Sequence, residues 1–196
     1  MTRQKSAVRL VAEPLITAAI LAVIVRAAIS VYVIPSASMR PSLESGDHIL
    51  VTPYRFTAPR RGDVVVLRAP NDNSTLLVKR IIGLPGDLID SRSGRVRLGQ
   101  HAIAEPYLLK QAATGDIPPQ IIPADCFFVM GDNREDSADS RRWGAVPRDL
   151  VVGHVRMVLW SSAGGAGERT ARATTFSPEK ASAGTSRLSR FFKCVQ

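Results

Sequence analysis

Six short runs rich in β-branched or aromatic residues are the feature that most constrains the fold of this chain. They occupy residues 48–51, 64–67, 76–82, 96–98, 127–130 and 151–160. Short runs of this kind, separated by Gly, Pro, Asp and Asn, are typical of β-strands. After residue 34, no helical period of convincing length and no internal repeat is present in the sequence. The sequence therefore predicts an all-β, or β-dominated, body.

The chain length allows one folded domain with additional terminal segments, because 196 residues suffice for one hydrophobic core. The 13 Pro and 14 Gly favour a loop-rich β-body over a helical bundle. We predict four segments: a basic N-terminus over residues 1–10, a membrane anchor helix over 11–32, a β-domain over 33–160, and a flexible basic tail with a short terminal element over 161–196.

The predicted anchor is an apolar segment with one interruption. Residues 15–25 carry no charge, and the apolar character resumes after Arg26 and continues to Ile34. The whole stretch is long enough for one membrane span, which needs about 20 residues, whereas the part before Arg26 is too short. Three basic residues precede it and favour a cytoplasmic N-terminus with the body outside. A cleaved signal peptide is the alternative interpretation, since small residues follow Arg26.

The net charge of +9 is concentrated at the two ends of the chain. Residues 1–30 carry +3 and residues 161–196 carry +4, which leaves +2 for the residues between them. A nucleic-acid-binding domain typically has a basic face of its own. Basic ends around a nearly neutral body instead fit attraction to anionic lipid headgroups. We therefore expect membrane lipid as a partner and no nucleic acid.

The cysteines and histidines do not have the spacing of a metal site. Cys126 and Cys194 are far apart, and the three histidines are isolated from them and from one another. We therefore expect no metal and no cofactor. Cys126 lies in an apolar run, and we interpret it as a small buried residue rather than half of a disulfide.

Ser38 is the candidate nucleophile, because it lies in a proline-bracketed run directly after the apolar segment. A serine hydroxyl needs a neighbouring base, and a neutral amine can serve. Strand alternation places Lys79 on one face between Leu77 and Ile81. Apolar neighbours disfavour the ammonium ion and lower the pKa of a lysine, as a base requires. The alternatives are a solvated strand lysine and an ordinary loop serine, and we interpret Arg80 as the solvent-facing charge of this strand.

A polar loop over residues 131–144 follows the predicted strand 127–130 and supplies further candidates. A hydroxyl at Ser137 can hold Lys79 in register, and a pair between Asp139 and Arg141 can fix the loop. The alternatives are a calcium-binding turn and a merely solvated acidic turn, and the arginines of the loop oppose the charge of a cation.

Four runs occur in order along the chain. They are PSASMRP at residues 35–41, RGDVVV at 61–66, KRIIGLPGD at 79–87 and GDNREDSADSRRWG at 131–144. On these runs, the sequence resembles the bacterial type I signal peptidases, which are membrane-bound serine proteases with a Ser/Lys dyad. The resemblance extends from the apolar segment to Trp160 and departs mildly at Ala37, where many members have Gly, and at Ser42, where Thr is common. It implies antiparallel sheets of the signal-peptidase type with one N-terminal membrane helix.

The resemblance also implies a role for each site residue. Ser38 attacks the scissile carbonyl, and neutral Lys79 takes its proton. Ser137 orients Lys79. The backbone N–H of Ser38 and the hydroxyl of Ser36 form the oxyanion hole. The structural supports are Asp139, Arg141 and Ser140.

The function implied by the resemblance is cleavage of signal peptides from exported precursors, after small residues as in Ala-x-Ala. It implies a single-pass, monomeric protein of the cytoplasmic membrane, with the catalytic domain on the outer face. Three alternatives remain open. They are a self-cleaving or pilin-processing protease with the same dyad, a Ser-His-Asp hydrolase that uses His48 or His154, and a tethered β-scaffold without activity.

Overall fold

A computed structural model of the chain describes residues 7–54, 57–109, 113–162 and 193–194. The chain forms two compact units, Met1–Ser30 and Val31–Gln196. Helix α1 belongs to the first unit and the β-body to the second. The predicted β-dominated fold is therefore confirmed.

Helix α1 spans Ala7–Ala28 and contains Pro14. The prediction of a helix over residues 11–32 is wrong at its C-terminal end, because Ser30–Val33 forms strand β1. Two valines and a tyrosine in these four residues favour the extended conformation. In the parts of the chain that the structure describes, no helix has both the length and the apolar character needed to cross a membrane.

Eleven further strands make up the body. They are β2 (Asp47–Thr52), β3 (Val64–Ala69), β4 (Asp72–Gly83), β5 (Leu88–Arg92), β6 (Arg95–Leu98), β7 (His101–Ala102), β8 (Gln120–Ile121), β9 (Cys126–Met130), β10 (Val146–Pro147), β11 (Val151–Ser161) and β12 (Lys193–Cys194). A short helix, α2 (Ser140–Trp143), follows β9, and a 3-10 turn over Arg148–Leu150 precedes β11. The six predicted strands lie within β2, β3, β4, β6, β9 and β11 and are confirmed.

The strands form two sheets. The larger has the order β1-β2-β11-β3-β4-β9-β10, with β12 paired to β11, and the smaller has the order β7-β6-β5-β8. The pairings from β2 to β12 are antiparallel. Of the predicted tail over residues 161–196, Ser161 ends β11 and Lys193 and Cys194 form β12, whereas residues 163–192 and 195–196 lie outside the described residues.

Three apolar clusters form the core of the β-body. The first contains Ile34, Met39, Leu43, Ile49, Val51, Val64, Val66, Val155 and Val158. The second contains Ile82, Ile89, Val96, Ile117, Ile122, Phe128 and Met130. The third contains Val65, Leu67, Ile81, Phe127, Val129 and Val146. Cys126 is a free thiol, half-buried against the second cluster, in agreement with its interpretation as an apolar residue.

The register of β4 brings the predicted site together. Lys79 lies opposite Val65 of β3, and the next residue, Arg80, lies opposite Met130 at the end of β9. The polar loop that follows Met130 therefore starts beside Lys79. The run that carries Ser38 is fixed by its own apolar residues, because Met39 and Leu43 are fully buried in the first cluster.

Candidate active site

Ser38 and Lys79 form a hydrogen bond. Lys79 Nζ donates to Ser38 Oγ at 2.8 Å, although the two residues are 41 positions apart in the sequence. The Ser38 side chain comes from the loop between β1 and β2, and Lys79 comes from β4. A base at this distance from a serine hydroxyl is within reach of its proton.

The Lys79 amine is suited to act as a base. The residue is 2% exposed, and Leu77 and Ile81, two positions away on either side, pack in the third cluster. Burial lowers its pKa from 10.5 to about 8, an effect that Asp139 opposes and Arg141 reinforces. The lowered pKa leaves a fraction of the amine neutral near neutral pH. A solvated strand lysine does not fit this environment.

Ser36 lies beside the same hydroxyl. The hydroxyl oxygens of Ser36 and Ser38 are 3.3 Å apart, and Ser36 is exposed whereas Ser38 is half-buried. A hydroxyl at this position can donate a hydrogen bond to a negative charge that develops beside Ser38 Oγ during a reaction.

Gly131 brings the polar loop close to the nucleophile segment. A Cβ at this position would lie 2.5 Å from the carbonyl oxygen of Ser38 and 2.3 Å from Ser137 Oγ, so only glycine fits. The N–H of Asn133 donates to the same Ser38 carbonyl at 3.0 Å. The loop therefore holds the backbone of the nucleophile directly.

Asp139 and Arg141 form the predicted pair. Arg141 Nε and Nη2 each donate to the Asp139 carboxylate at 2.8 Å, and the Gly131 N–H donates to it at 3.0 Å. Burial by itself would raise the pKa of Asp139, but these hydrogen bonds lower it. Ser140 Oγ accepts the Val129 N–H at 2.9 Å and so ties α2 to β9.

Ser137 lies next to Gly131 and has a buried hydroxyl. Although it is close enough to contribute to the low pKa of Asp139, its Oγ has no partner of hydrogen-bond geometry within the described ranges. The expected hydrogen bond to Lys79 is therefore not among the contacts of the structure. Its predicted orienting role stays a prediction.

Arg80 is not the solvent-facing charge that strand alternation indicated. It is 1% exposed, and its Nε and Nη2 donate to the two carboxylate oxygens of Asp132 at 2.9 and 2.7 Å. Ser42 Oγ donates to the same carboxylate at 2.5 Å. The guanidinium also lies 4.0 Å from the centre of the Tyr107 ring. Alternation assumes one solvated face, but the loops after β1 and β9 cover both faces of β4 here.

A second buried pair was not predicted from the sequence. The carboxylate of Glu105 contacts the guanidinium of Arg134, and the two side chains are 8% and 0% exposed. Arg134 lies in the polar loop, whereas Glu105 lies between β7 and β8. The only sequence signal for this pair is an acidic residue beside Pro106 and Tyr107 in an otherwise irregular segment.

The two histidines considered as alternative bases contact other residues than Ser38. His154 stacks on Tyr54, and its Nε2 is 3.8 Å from Asp63 Oδ1; burial lowers its pKa. His48 stacks on Trp160 with ring centres 4.2 Å apart. Among the described residues, the basic side chain that forms a hydrogen bond with Ser38 Oγ is that of Lys79.

Comparisons with known proteins show which family the chain resembles. A family model described as "Signal peptidase, peptidase S26" matches residues 7–160. The signal peptidase I of Bacillus amyloliquefaciens is 39% identical over 172 residues, which cover 81% of this chain and 91% of that protein. The signal peptidase I of Leptolyngbya laminosa is 38% identical over 136 residues, which cover 65% of this chain and 66% of that protein.

A solved structure is also similar to part of the chain. It is the crystal structure of a signal peptidase I from Enterococcus faecalis, which is 27% identical, with 50% of this chain and 97% of that chain covered and a TM-score of 0.45. The family match alone spans well over half of the chain. The chain belongs to the signal peptidase family, peptidase S26.

Proposed function

We propose that this protein is an endopeptidase that removes N-terminal signal peptides from exported precursors, with Ser38 as the nucleophile and Lys79 as the general base. The hydrogen bond of 2.8 Å between Lys79 Nζ and Ser38 Oγ is the observation that carries the proposal. Membership of the signal peptidase family supports the choice of substrate.

The proposed reaction has two steps. Neutral Lys79 takes the proton of Ser38 as Oγ attacks the scissile carbonyl, and the resulting ammonium returns a proton to the leaving amine. Water, activated by the same amine, then hydrolyses the ester on Ser38. The Ser38 N–H and the Ser36 hydroxyl stabilise the oxyanion of both tetrahedral intermediates.

The supporting residues act by holding the polar loop in place. The Asp139–Arg141 pair and the hydrogen bond of Ser140 to β9 hold the loop in which Ser137 lies. We propose that Ser137 orients Lys79 once substrate excludes water from the site. The support is that its hydroxyl is buried beside Gly131 and makes no hydrogen bond of standard geometry among the described residues.

The proposed location is the outer face of the cytoplasmic membrane, with α1 as the attachment. The support is that α1 exposes large apolar side chains, among them Leu15, Ile20 and Val23, each at least 56% exposed. Large exposed apolar surfaces of this kind mark sites of contact with a membrane or with another protein. Substrates are proposed to carry small residues before the cleaved bond, as the family resemblance implies.

A cleavage assay tests the proposal. The solubilised protein is incubated with a synthetic exported precursor, and the product is identified by N-terminal sequencing. We expect one cut after a small residue at the end of the apolar segment, and no cut with Ser38→Ala or Lys79→Ala. Ser74→Ala, a change at an exposed serine of β4, is the matched control and should retain full activity.

The outcomes separate the alternatives. A fully active Lys79→Ala protein would contradict the Ser/Lys mechanism. Cleavage only within the protein's own chain, and none of an added precursor, would indicate a self-cleaving protease instead. Loss of activity on replacement of His48 or His154 alone would restore the histidine hypothesis.

A further inference from the structure

Glu105 lies outside all four sequence runs of the family and makes a buried contact with one of them. Its Oε2 accepts from Arg134 Nη1 at 3.2 Å, and its Oε1 accepts from Arg134 Nη2 and from the Tyr107 hydroxyl, the latter at 2.8 Å. Thr114 Oγ1 accepts a further hydrogen bond from Arg134 Nη1. The segment between β7 and β8 thus supplies the partners of the outer end of this guanidinium.

The inner end of Arg134 reaches the nucleophile segment. Its Nε donates to the Gly131 carbonyl at 3.1 Å, and its own carbonyl accepts from Arg141 Nη1 at 2.8 Å. Gly131 in turn packs against the Ser38 carbonyl and Ser137. One buried cation therefore joins Glu105 to the backbone beside Ser38.

The same loop sets the surroundings of Lys79. The charged groups that act on Lys79 all belong to it: Asp132, Asp136, Asp139 and Arg141. Burial is the largest influence on the pKa of Lys79. A displacement of this loop therefore changes both the position of Ser38 and the solvation of its base.

We propose that Glu105 is a positioning residue for the Ser38–Lys79 pair, which acts by holding Arg134 and thereby the Gly131 turn against the nucleophile segment. The expected effect of Glu105 on catalysis rests on the proposed function. Glu105 itself touches neither Ser38 nor Lys79 in its hydrogen bonds, so it is not a catalytic residue.

The test compares Glu105→Gln with Glu135→Ala. Glu135 is an exposed acid next to Arg134 in the same loop and serves as the control for loss of one negative charge. We expect Glu105→Gln to lower kcat on the precursor by about tenfold to a hundredfold with little change in KM, because small misplacements of reacting groups have effects of this size. Glu135→Ala should stay within about twofold of the native protein.

A second measurement does not depend on turnover. The Lys79 amine is titrated by NMR, with the pKa of about 8 as the native reference. In Glu105→Gln, the pKa of Lys79 should rise toward its ordinary value, because a loosened loop admits water. Loss of stability alone would lower the folded fraction without moving this titration.

A double variant covers the case in which Glu105→Gln does not fold. Glu105→Gln with Arg134→Met removes the buried unpaired cation, so folding should recover. The Gly131 carbonyl then lacks its Arg134 donor, so kcat should stay low and the Lys79 titration should stay shifted.

Each outcome has one meaning. Native kcat and a native Lys79 titration in Glu105→Gln, or restoration of both in the double variant, would overturn the positioning role while leaving the proposed function intact. If the native protein cleaves no precursor, the proposed function fails. The Lys79 titration then decides the positioning role by itself.

Discussion

Lys79 sets the pH range in which the site can work. The neutral amine is the active form, and its pKa is about 8 because the residue is buried. We therefore expect kcat/KM to rise about tenfold for each pH unit below this value and to level off above it. Cleavage of a peptide substrate from about pH 6 to about pH 10 measures this profile, and a midpoint near pH 10 would contradict a buried base.

The same lysine costs stability. Its pKa is 10.5 in an ordinary environment and about 8 in the fold, so the unfolded chain binds the proton more tightly. The penalty is complete below pH 8, declines as pH rises from 8 to 10.5, and is absent above this range.

Lys79→Met should therefore stabilise the protein by roughly 3 kcal/mol at neutral pH while it abolishes activity. Denaturant unfolding at several pH values measures the difference between the variant and the native protein. The difference should shrink at alkaline pH. A variant that is less stable than the native protein near pH 7 would contradict the claim that the buried ammonium ion of Lys79 destabilises the fold.

Gly131 gives a prediction about space at the site. A Cβ there would clash with the Ser38 carbonyl, so we expect Gly131→Ala to lower kcat/KM by about a hundredfold or more. Gly115→Ala is the matched control, because a Cβ at Gly115 meets nothing within 4 Å. Steady-state kinetics of both variants test the prediction. Equal activity would show that the two loops can separate without loss.

At the scale of secondary-structure elements, the Arg80–Asp132 pair joins β4 to the loop after β9. Both residues are 1% exposed, and replacement of Asp132 leaves the buried guanidinium of Arg80 without its carboxylate partner. Asp132→Ala should lower the free energy of unfolding by about 3–5 kcal/mol. Asp149→Ala, at an exposed position, should change it by less than about 0.5 kcal/mol. Urea denaturation of the two variants makes the comparison.

The sequence predicted the long strands better than the short ones. Strand β9 is a continuous apolar run, and β3 and β11 are rich in valine, so their composition alone favours the extended conformation. Strands β7, β8 and β10 have two residues each, and they exist because a neighbouring strand offers hydrogen bonds. Such strands have no local signal, since pairing partners are chosen by the tertiary fold.

At the scale of the whole molecule, the β-body should fold without α1. The residues of the three core clusters lie between Ile34 and Val158, so deletion of residues 1–28 removes none of them. We expect a thermal midpoint within about 3 °C of the full chain.

A longer deletion provides the contrast. Removal of residues 1–34 also takes β1 and the buried Ile34, which is 2% exposed, and should lower the midpoint clearly. Calorimetry on the three proteins separates these cases. Cell fractionation of the shorter deletion tests the membrane attachment, which predicts that the truncated protein leaves the membrane fraction.

The sequence by itself determined the β-dominated class, the six main strands and the candidacy of Ser38 and Lys79. These features depend on contiguous residues, because strand propensity and a short motif can be identified without information about distant parts of the chain. Their roles in the reaction stay predictions until they are assayed.

Only the tertiary structure decided which polar groups are buried together. Ser38 meets Lys79 across 41 positions, Arg80 meets Asp132 across 52, and Arg134 meets Glu105 across 29. Strand alternation placed Arg80 in solvent because it treats a strand as half-exposed, whereas packed loops cover both faces of β4 at this point. Burial depends on what the rest of the chain places over a residue, and local sequence does not contain that information.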